Sequence, residues 1–190
     1  MGINAEVGLK DLLGMARRNH NGASVNTNLN EVIRGVVQIF RVQTDASGVT
    51  LNLDLAQDIP VVAADVSAIE QILTNLLVNA LDAVPDRTGR IEIRTCMDQN
   101  RKDVLLRVSD NGPGIPPEHL KQIFDPFFTT KEIGKGTGLG LTVVYELMTE
   151  IGGSIDVQAG PGACFELRFP VAPSNAQPIS EMDPDRGCPA

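Results

Sequence analysis

The chain has 190 residues, 42% of them hydrophobic, and carries 16 Lys and Arg against 24 Asp and Glu, a formal net charge of −8. This length and composition fit one domain with a real core and short appendages. The negative charge argues against a nucleic-acid partner bound through its phosphates. Because there is no run of 18 apolar residues and no charged-then-apolar leader, we expect neither membrane contact nor a signal peptide.

The first half of the chain is predicted to contain three helices and one strand. Apolar spacing and alternation place the helices at 5–18, 29–45 and 65–84, and a half-buried strand at 49–55. Asp65 or Ser67 can cap the third helix, and Ser67 with Glu70 matches a capping box. The helix should end just before Pro85.

The second half is predicted to contain two strand pairs, a long irregular stretch and one helix. The ranges in chain order are strands 90–97 and 103–110, irregular chain 111–138, helix 139–151, and strands 154–158 and 163–170. This order indicates an α+β sandwich with helices on one face of a mixed sheet. An irregular stretch this long is usually functional. We divide the chain into residues 1–20, a domain at 27–172 and a disordered tail at 173–190.

The three cysteines indicate the redox setting. Cys96, Cys164 and Cys188 are odd in number, lie far apart and form no C-x-x-C pair. They are typical of free thiols in a cytosolic protein, so we expect a cytoplasmic location and no zinc framework.

The third helix carries a polar stripe beside its apolar face. Asn75, Asn79 and Asp82 are spaced four and three residues apart, so they share one side of the helix. Asn is a weak helix former, and these residues could form a solvated edge or face a ligand. Mg²⁺ prefers oxygen ligands and keeps several waters, so one Asn oxygen plus phosphate oxygens would hold it.

Glycines occur at two places within or beside the long irregular stretch. At its start, strand 103–110 ends in Asp110 and continues into Gly112 and Gly114, a common turn pattern that also lets backbone approach a ligand. At its end, alternating glycines over 134–140 precede a helix and present N–H groups to an anion. The spacing matches neither a P-loop nor a dinucleotide fingerprint.

Between the glycine segments, phenylalanines cluster beside a lysine. Phe124, Phe127 and Phe128 are half of the six Phe in the chain and are expected to form a small core that pins one end of the loop. Lys131 follows them and adds positive charge near the second glycine segment.

In this order, the four segments resemble the ATP-binding domain of sensor histidine kinases, in the superfamily that includes DNA gyrase, Hsp90 and MutL. The matching N, G1, F and G2 boxes begin at Asn75, Asp110, Phe124 and Gly136. The N and F boxes are most similar to nitrogen-regulation-type kinases. The resemblance covers about 29–171, while the first 20 residues resemble the end of a dimerisation helix.

The resemblance implies a two-layer α/β sandwich with a mixed sheet, the Bergerat-type fold, with ATP and Mg²⁺ as cofactors. It implies that Asp110 binds the adenine amino group, that Asn79 ligates Mg²⁺, and that Asn75 contacts phosphate or a metal-bound water. Asn75 and Lys131 would act in catalysis, with Lys131 in a lid over the phosphates. The implied nucleotide-binding residues are Asn75, Asn79, Asp82, Ala83, Asp110, Gly112, Gly114, Ile115, Phe124, Thr130, Lys131, Lys135, Gly136, Thr137, Gly138, Leu139, Gly140 and Leu141.

Two positions depart from the family pattern. Ala163 stands where the family often has a Thr near the adenine, and Ile151 stands where it often has a His. Neither change is expected to remove a core function.

The ATPase relatives carry a Glu where Asn75 stands, and a neutral amide is not a general base, so we expect slow hydrolysis.

The chain is expected to lack a phosphoaccepting histidine on a helix with an acidic neighbour. His20 lies in poor helix sequence, and His119 is expected at the start of a short helix as an ordinary surface residue. The resemblance therefore implies a catalytic fragment of a protein-histidine kinase in a two-component system. Its partners would be the parent's dimerisation hairpin and a response-regulator receiver domain. A serine kinase of the anti-sigma type and a non-catalytic nucleotide-sensing module are the alternatives.

Overall fold

The computed structural model describes residues 26–100, 102–131 and 136–173. Within these ranges the elements are β1 Asn26–Thr27, α1 Leu29–Ser47, β2 Thr50–Leu55, β3 Val62–Ala63, α2 Val66–Ala83, β4 Arg90–Met97, β5 Asp103–Asp110, α3 Gly140–Ile151, β6 Ser154–Gln158 and β7 Cys164–Pro170. The predicted helix at 5–18, the tail from residue 174 and Lys135 lie outside the described residues.

The main sheet has five strands in the order β2-β4-β5-β7-β6. β2 runs parallel to β4, and every other neighbouring pair is antiparallel. Both predicted strand pairs therefore form, and the sheet is mixed as expected. β1 and β3 form a separate two-stranded sheet, which joins the end of β7 through a bridge between Val62 and Val171.

The core lies between the main sheet and a layer of three helices. Side chains alternate along β4, so that Ile91 and Ile93 are buried while Glu92 and Arg94 face solvent. α2 packs between α1 and α3 and buries Leu76 and its apolar neighbours against the sheet. Truncating a buried leucine to alanine typically costs about 2–5 kcal/mol. The two-layer α+β sandwich is confirmed.

The structure corrects several local predictions. Asp65, not Ser67, caps α2, because its carboxylate accepts the Ser67 N–H at 2.7 Å; Ser67 lies inside the helix, and the capping box with Glu70 is wrong. α1 continues two residues beyond the predicted end and stops at Gly48, in the left-handed region. Strands β1 and β3 were not predicted, since two residues are too short for a periodic pattern. None of the described helices is long and apolar enough to cross a membrane.

Candidate functional site

A cavity of about 720 Å³ opens between α2, the end of β5, the irregular segment that follows, and the start of α3. Most of the predicted nucleotide-binding residues line it: Asn75, Asn79, Asp82, Ala83, Asp110, Gly114, Ile115, Thr130, Lys131, Gly136, Thr137, Gly138, Gly140 and Leu141. Gly112, Phe124 and Leu139 are described but do not line it. The size falls in the range of small-molecule sites.

Asp110 lies at one end of the cavity, held by the backbone around it. Its Oδ1 accepts the N–H groups of Gly112 at 2.9 Å and Ala163 at 3.2 Å. Within the described residues, Oδ2 has no hydrogen-bond partner. Burial raises the pKa of Asp110, and the two backbone hydrogen bonds oppose that rise. The arrangement leaves one carboxylate oxygen available to accept a ligand N–H.

Close packing of the backbone determines the position of Asp110. Gly162 has a φ of +88°, and a Cβ there would lie only 1.8 Å from the Asp110 carbonyl oxygen. The Asp110 N–H donates to the Ala163 carbonyl at 3.0 Å. The turn before β7 therefore presses directly on the strand end that carries the carboxylate, and Ala163 contributes through its backbone rather than its side chain.

The polar stripe of α2 also faces the cavity. Asn75, Asn79 and Asp82 share one side of the helix, as their spacing predicted, and all three line the cavity. Asn75 Nδ2 is buried and has no hydrogen-bond partner among the described residues. A Cβ on Gly140 would lie 3.4 Å from Asn75 Oδ1, so these side chains lie beside the start of α3.

The start of α3 is open to the cavity. The residue before it, Leu139, makes no side-chain cap hydrogen bond, and Gly140 and Leu141 line the cavity. A helix leaves its first four N–H groups without intrahelical partners, and these carry the positive end of the helix dipole. This end of the cavity is suited to an anion such as phosphate.

Lys131 connects the segment after the F box to α2. Its ammonium lies 2.5 Å from Asp82 Oδ2 and 3.5 Å from Asn79 Oδ1. The Lys131 N–H donates to Thr129 Oγ1 at 3.1 Å, which fixes the local turn. The cationic group thus lies against the polar stripe of α2.

The phenylalanine cluster forms only in part. Phe124 and Phe128 pack against the core, and Phe124 stacks on Tyr145 with ring centroids 5.5 Å apart. Phe127 is 63% exposed, so its predicted place in a small core is wrong. Its φ of +66° directs the chain so that its N–H donates to the Gly138 carbonyl at 2.9 Å. This contact ties the F box to the second glycine segment.

The structure also corrects the expectation for His119. The residues around it form consecutive turns rather than a short helix. His119 is half-buried, lines the cavity, and packs on Phe128 with ring centroids 5.3 Å apart. It is therefore a cavity residue and not an ordinary surface residue.

Several other lining residues were not among the predicted site residues. Phe128 and Ala163 had been singled out for other reasons, whereas the sequence gives no signal for the apolar residues Val78, Ala80, Pro113, Pro116, Ile123 and Phe165. Such residues look like ordinary core or turn positions until the fold brings them around the cavity. Their apolar surface suits a flat ring at the Asp110 end.

The matching family model and the relatives agree on the family that this chain resembles. The model described as "Histidine kinase-, DNA gyrase B-, and HSP90-like ATPase" matches residues 64–173, more than half of the chain. The chain belongs to this family. The domain is a histidine kinase ATPase domain, as the motifs implied, while the nitrogen-regulation subtype stays a prediction.

Curated relatives are sensor kinases. The chain is 42% identical over 137 residues to the sensor kinase CckA of Brucella abortus (strain 2308), covering 64% of this chain and 14% of that protein. It is 33% identical over 167 residues to sporulation kinase A of Bacillus subtilis (strain 168), covering 87% of this chain and 27% of that protein. The chain thus spans only a minor part of the length of either relative.

Solved structures give the same fold. The catalytic domain of histidine kinase ThkA superposes with a TM-score of 0.69 at 34% identity, covering 77% of this chain and 96% of that one. Full-length ShkA in complex with AMPPNP superposes with a TM-score of 0.69 at 26% identity, covering 86% of this chain and 35% of that one.

Proposed function

We propose that this domain binds MgATP in the cavity and transfers the γ-phosphoryl group to a histidine on a dimerisation helix of the parent kinase. The observation that carries the proposal is the convergence on one cavity of Asp110, the amides of Asn75 and Asn79, and the uncapped start of α3. These groups match, in turn, an amino group, a hard cation and a phosphate. Relatives named as a sensor kinase and a sporulation kinase support a kinase reaction.

Asp110 recognises adenine in this proposal. Oδ1 is held by the N–H groups of Gly112 and Ala163, so Oδ2 is oriented before any ligand arrives. The 6-amino group of adenine donates to Oδ2, whereas guanine presents a carbonyl oxygen at that position, which repels a carboxylate. The site should therefore select ATP over GTP.

Asn79 and the start of α3 hold the metal and the phosphates in this proposal. Asn79 Oδ1 already accepts a contact from the Lys131 ammonium, so this oxygen faces a position where a cation is tolerated. Bound Mg²⁺ would neutralise phosphate charge. Asn75 Nδ2, a buried donor without a partner, and the first N–H groups of α3 are suited to phosphate oxygens.

The chain favours transfer to another protein over hydrolysis. Asn75 stands where the ATPase relatives use a general base, and an amide cannot take a proton from water. Of the described residues that line the cavity, two are carboxylates: Asp82 pairs with Lys131, and Asp110 accepts two backbone N–H groups through Oδ1. Catalysis then consists of positioning and charge stabilisation until an imidazole from the acceptor arrives.

The proposed partners are the phosphoacceptor hairpin of the parent kinase and a response-regulator receiver domain, in the cytoplasm. The test combines calorimetric titration of ATP and GTP with Mg²⁺ and a phosphotransfer assay to the hairpin. Acid-labile phosphoprotein supports histidine transfer. An acid-stable product would instead favour a serine kinase, and nucleotide binding without any transfer would favour a sensing module.

A further inference from the structure

The ion pair between Asp82 and Lys131 joins α2 to the segment after the F box, and both residues line the cavity. The Lys131 ammonium lies 2.5 Å from Asp82 Oδ2 and 3.5 Å from Asn79 Oδ1. A Cβ on Gly136 would lie 3.2 Å from the Lys131 Cδ, so the absence of a side chain there leaves room for the lysine stem. The space at Gly136 and the contacts with Asp82 and Asn79 together direct this lysine onto α2.

Among the described residues, this ion pair holds the charged side chains that lie beside the polar stripe of α2. Of the described residues that line the cavity, Lys131 is the only lysine or arginine. Asp82 is a carboxylate on the same side of α2 as Asn79, and it contacts the same ammonium. A nucleotide that draws Lys131 to its phosphates leaves Asp82 without its cation, next to the incoming negative charge.

We propose that Asp82 makes nucleotide binding conditional on a bound divalent cation, by holding the Lys131 ammonium at Asn79 until the metal replaces it. Asp82 is thus a positioning and selectivity residue rather than a direct nucleotide contact. A metal-free nucleotide either leaves the ion pair intact and gains no cation, or breaks it and meets an unpaired carboxylate. A metal held at Asn79 gives Asp82 a new cationic neighbour. The inference rests on the proposed function.

The test compares ADP affinity with and without metal in a pair of matched variants. ADP is titrated calorimetrically into the full chain in Mg²⁺ and in EDTA, for wild type, Asp82→Asn and Asp86→Asn. Asp86 is the control because it is exposed, lies just beyond α2 and makes no ion pair within the described residues. Both substitutions remove one negative charge from the same end of the helix.

We expect Asp82→Asn to tighten ADP binding in EDTA. The ratio of the dissociation constant in EDTA to that in Mg²⁺ should therefore fall by up to about fivefold, which is the effect of a part-exposed ion pair. Asp86→Asn should leave the ratio within error of wild type. A ratio for Asp82→Asn that equals that of the control, or that rises, overturns the inference while leaving the proposed function standing. A wild-type chain that binds ADP in neither buffer overturns both.

A second measurement tests the ion pair itself, without nucleotide. An amine-reactive reagent is applied to the free protein, and modification of Lys131 is quantified by mass spectrometry against exposed Lys121. We expect Asp82→Asn to raise the labelling rate of Lys131 severalfold and Asp86→Asn to leave it unchanged. Equal labelling of Lys131 in all three proteins contradicts the ion pair and the role of Asp82.

Discussion

Replacing Asp110 with asparagine isolates the proposed adenine contact. Asparagine keeps the shape of the side chain and one oxygen. That oxygen can accept the N–H groups of Gly112 and Ala163, which lie 2.9 and 3.2 Å from Oδ1 of the aspartate. It replaces the free oxygen with an amide NH₂, which is a donor facing the adenine amino donor. A hydrogen bond to a charged group contributes about 1.5–3 kcal/mol. We therefore expect ATP affinity to fall by about tenfold to one hundredfold.

The assay is calorimetric titration of ATP in Mg²⁺, with Asp103→Asn as the matched control at the opposite end of the same strand. Burial raises the pKa of Asp110, so the folded state binds this proton more tightly than the unfolded state does. The stability that this proton contributes is therefore lost as the pH rises through the folded-state pKa. The thermal midpoint of Asp110→Asn without nucleotide should therefore equal or exceed that of wild type at neutral pH. Wild-type ATP affinity in Asp110→Asn would show that Asp110 does not bind the adenine amino group.

Three further predictions address the metal, the backbone and pH. Asn79→Ala should abolish the gain in ATP affinity on adding Mg²⁺, measured by titrations in Mg²⁺ and in EDTA; an unchanged gain would show that another group holds the metal. An alanine in the left-handed conformation costs about 1–2 kcal/mol. Gly138→Ala should lower the free energy of unfolding in urea by more than this, because its Cβ would lie 2.4 Å from the Phe127 backbone. Gly152→Ala is the control. Gly152 has a φ of +75°, and a Cβ there would have no atom within 4 Å, so this variant should show the backbone cost alone. ATP affinity should decline on acidification at a higher pH than for an ordinary aspartate, because protonation through the raised pKa of Asp110 removes the acceptor, and Asp110→Asn should show no such decline.

The helical part of the site could be predicted from the sequence because a period of 3.6 residues fixes which side chains share a face. Asn75, Asn79 and Asp82 follow that spacing, and all three line the cavity. A strand that ends in a carboxylate before two glycines is a local pattern that singled out Asp110, and its place in the site was implied by the family resemblance. The strand pairs followed from alternation, so the sheet and the layer of helices were also within reach.

The rest of the site depends on contacts between residues far apart in the chain. The partner of Lys131 is Asp82, which precedes it by 49 positions, and no local pattern relates the two. The N–H of Ala163 reaches Asp110 only because the turn at Gly162 packs against the strand end. His119 lines the cavity and packs on Phe128, which the sequence around it does not indicate. Such contacts arise from tertiary packing, which periodicity does not encode.

The proposed reaction transfers phosphate from MgATP to a histidine outside this chain. The measurement incubates the chain with γ-labelled ATP and Mg²⁺, with and without the parent's dimerisation hairpin, and follows acid-labile label on each protein. We expect label on the hairpin, none on a hairpin whose acceptor histidine is replaced by alanine, and slow hydrolysis by the chain alone. Stoichiometric acid-labile label on His20 or His119, or an unlabelled hairpin, would contradict it.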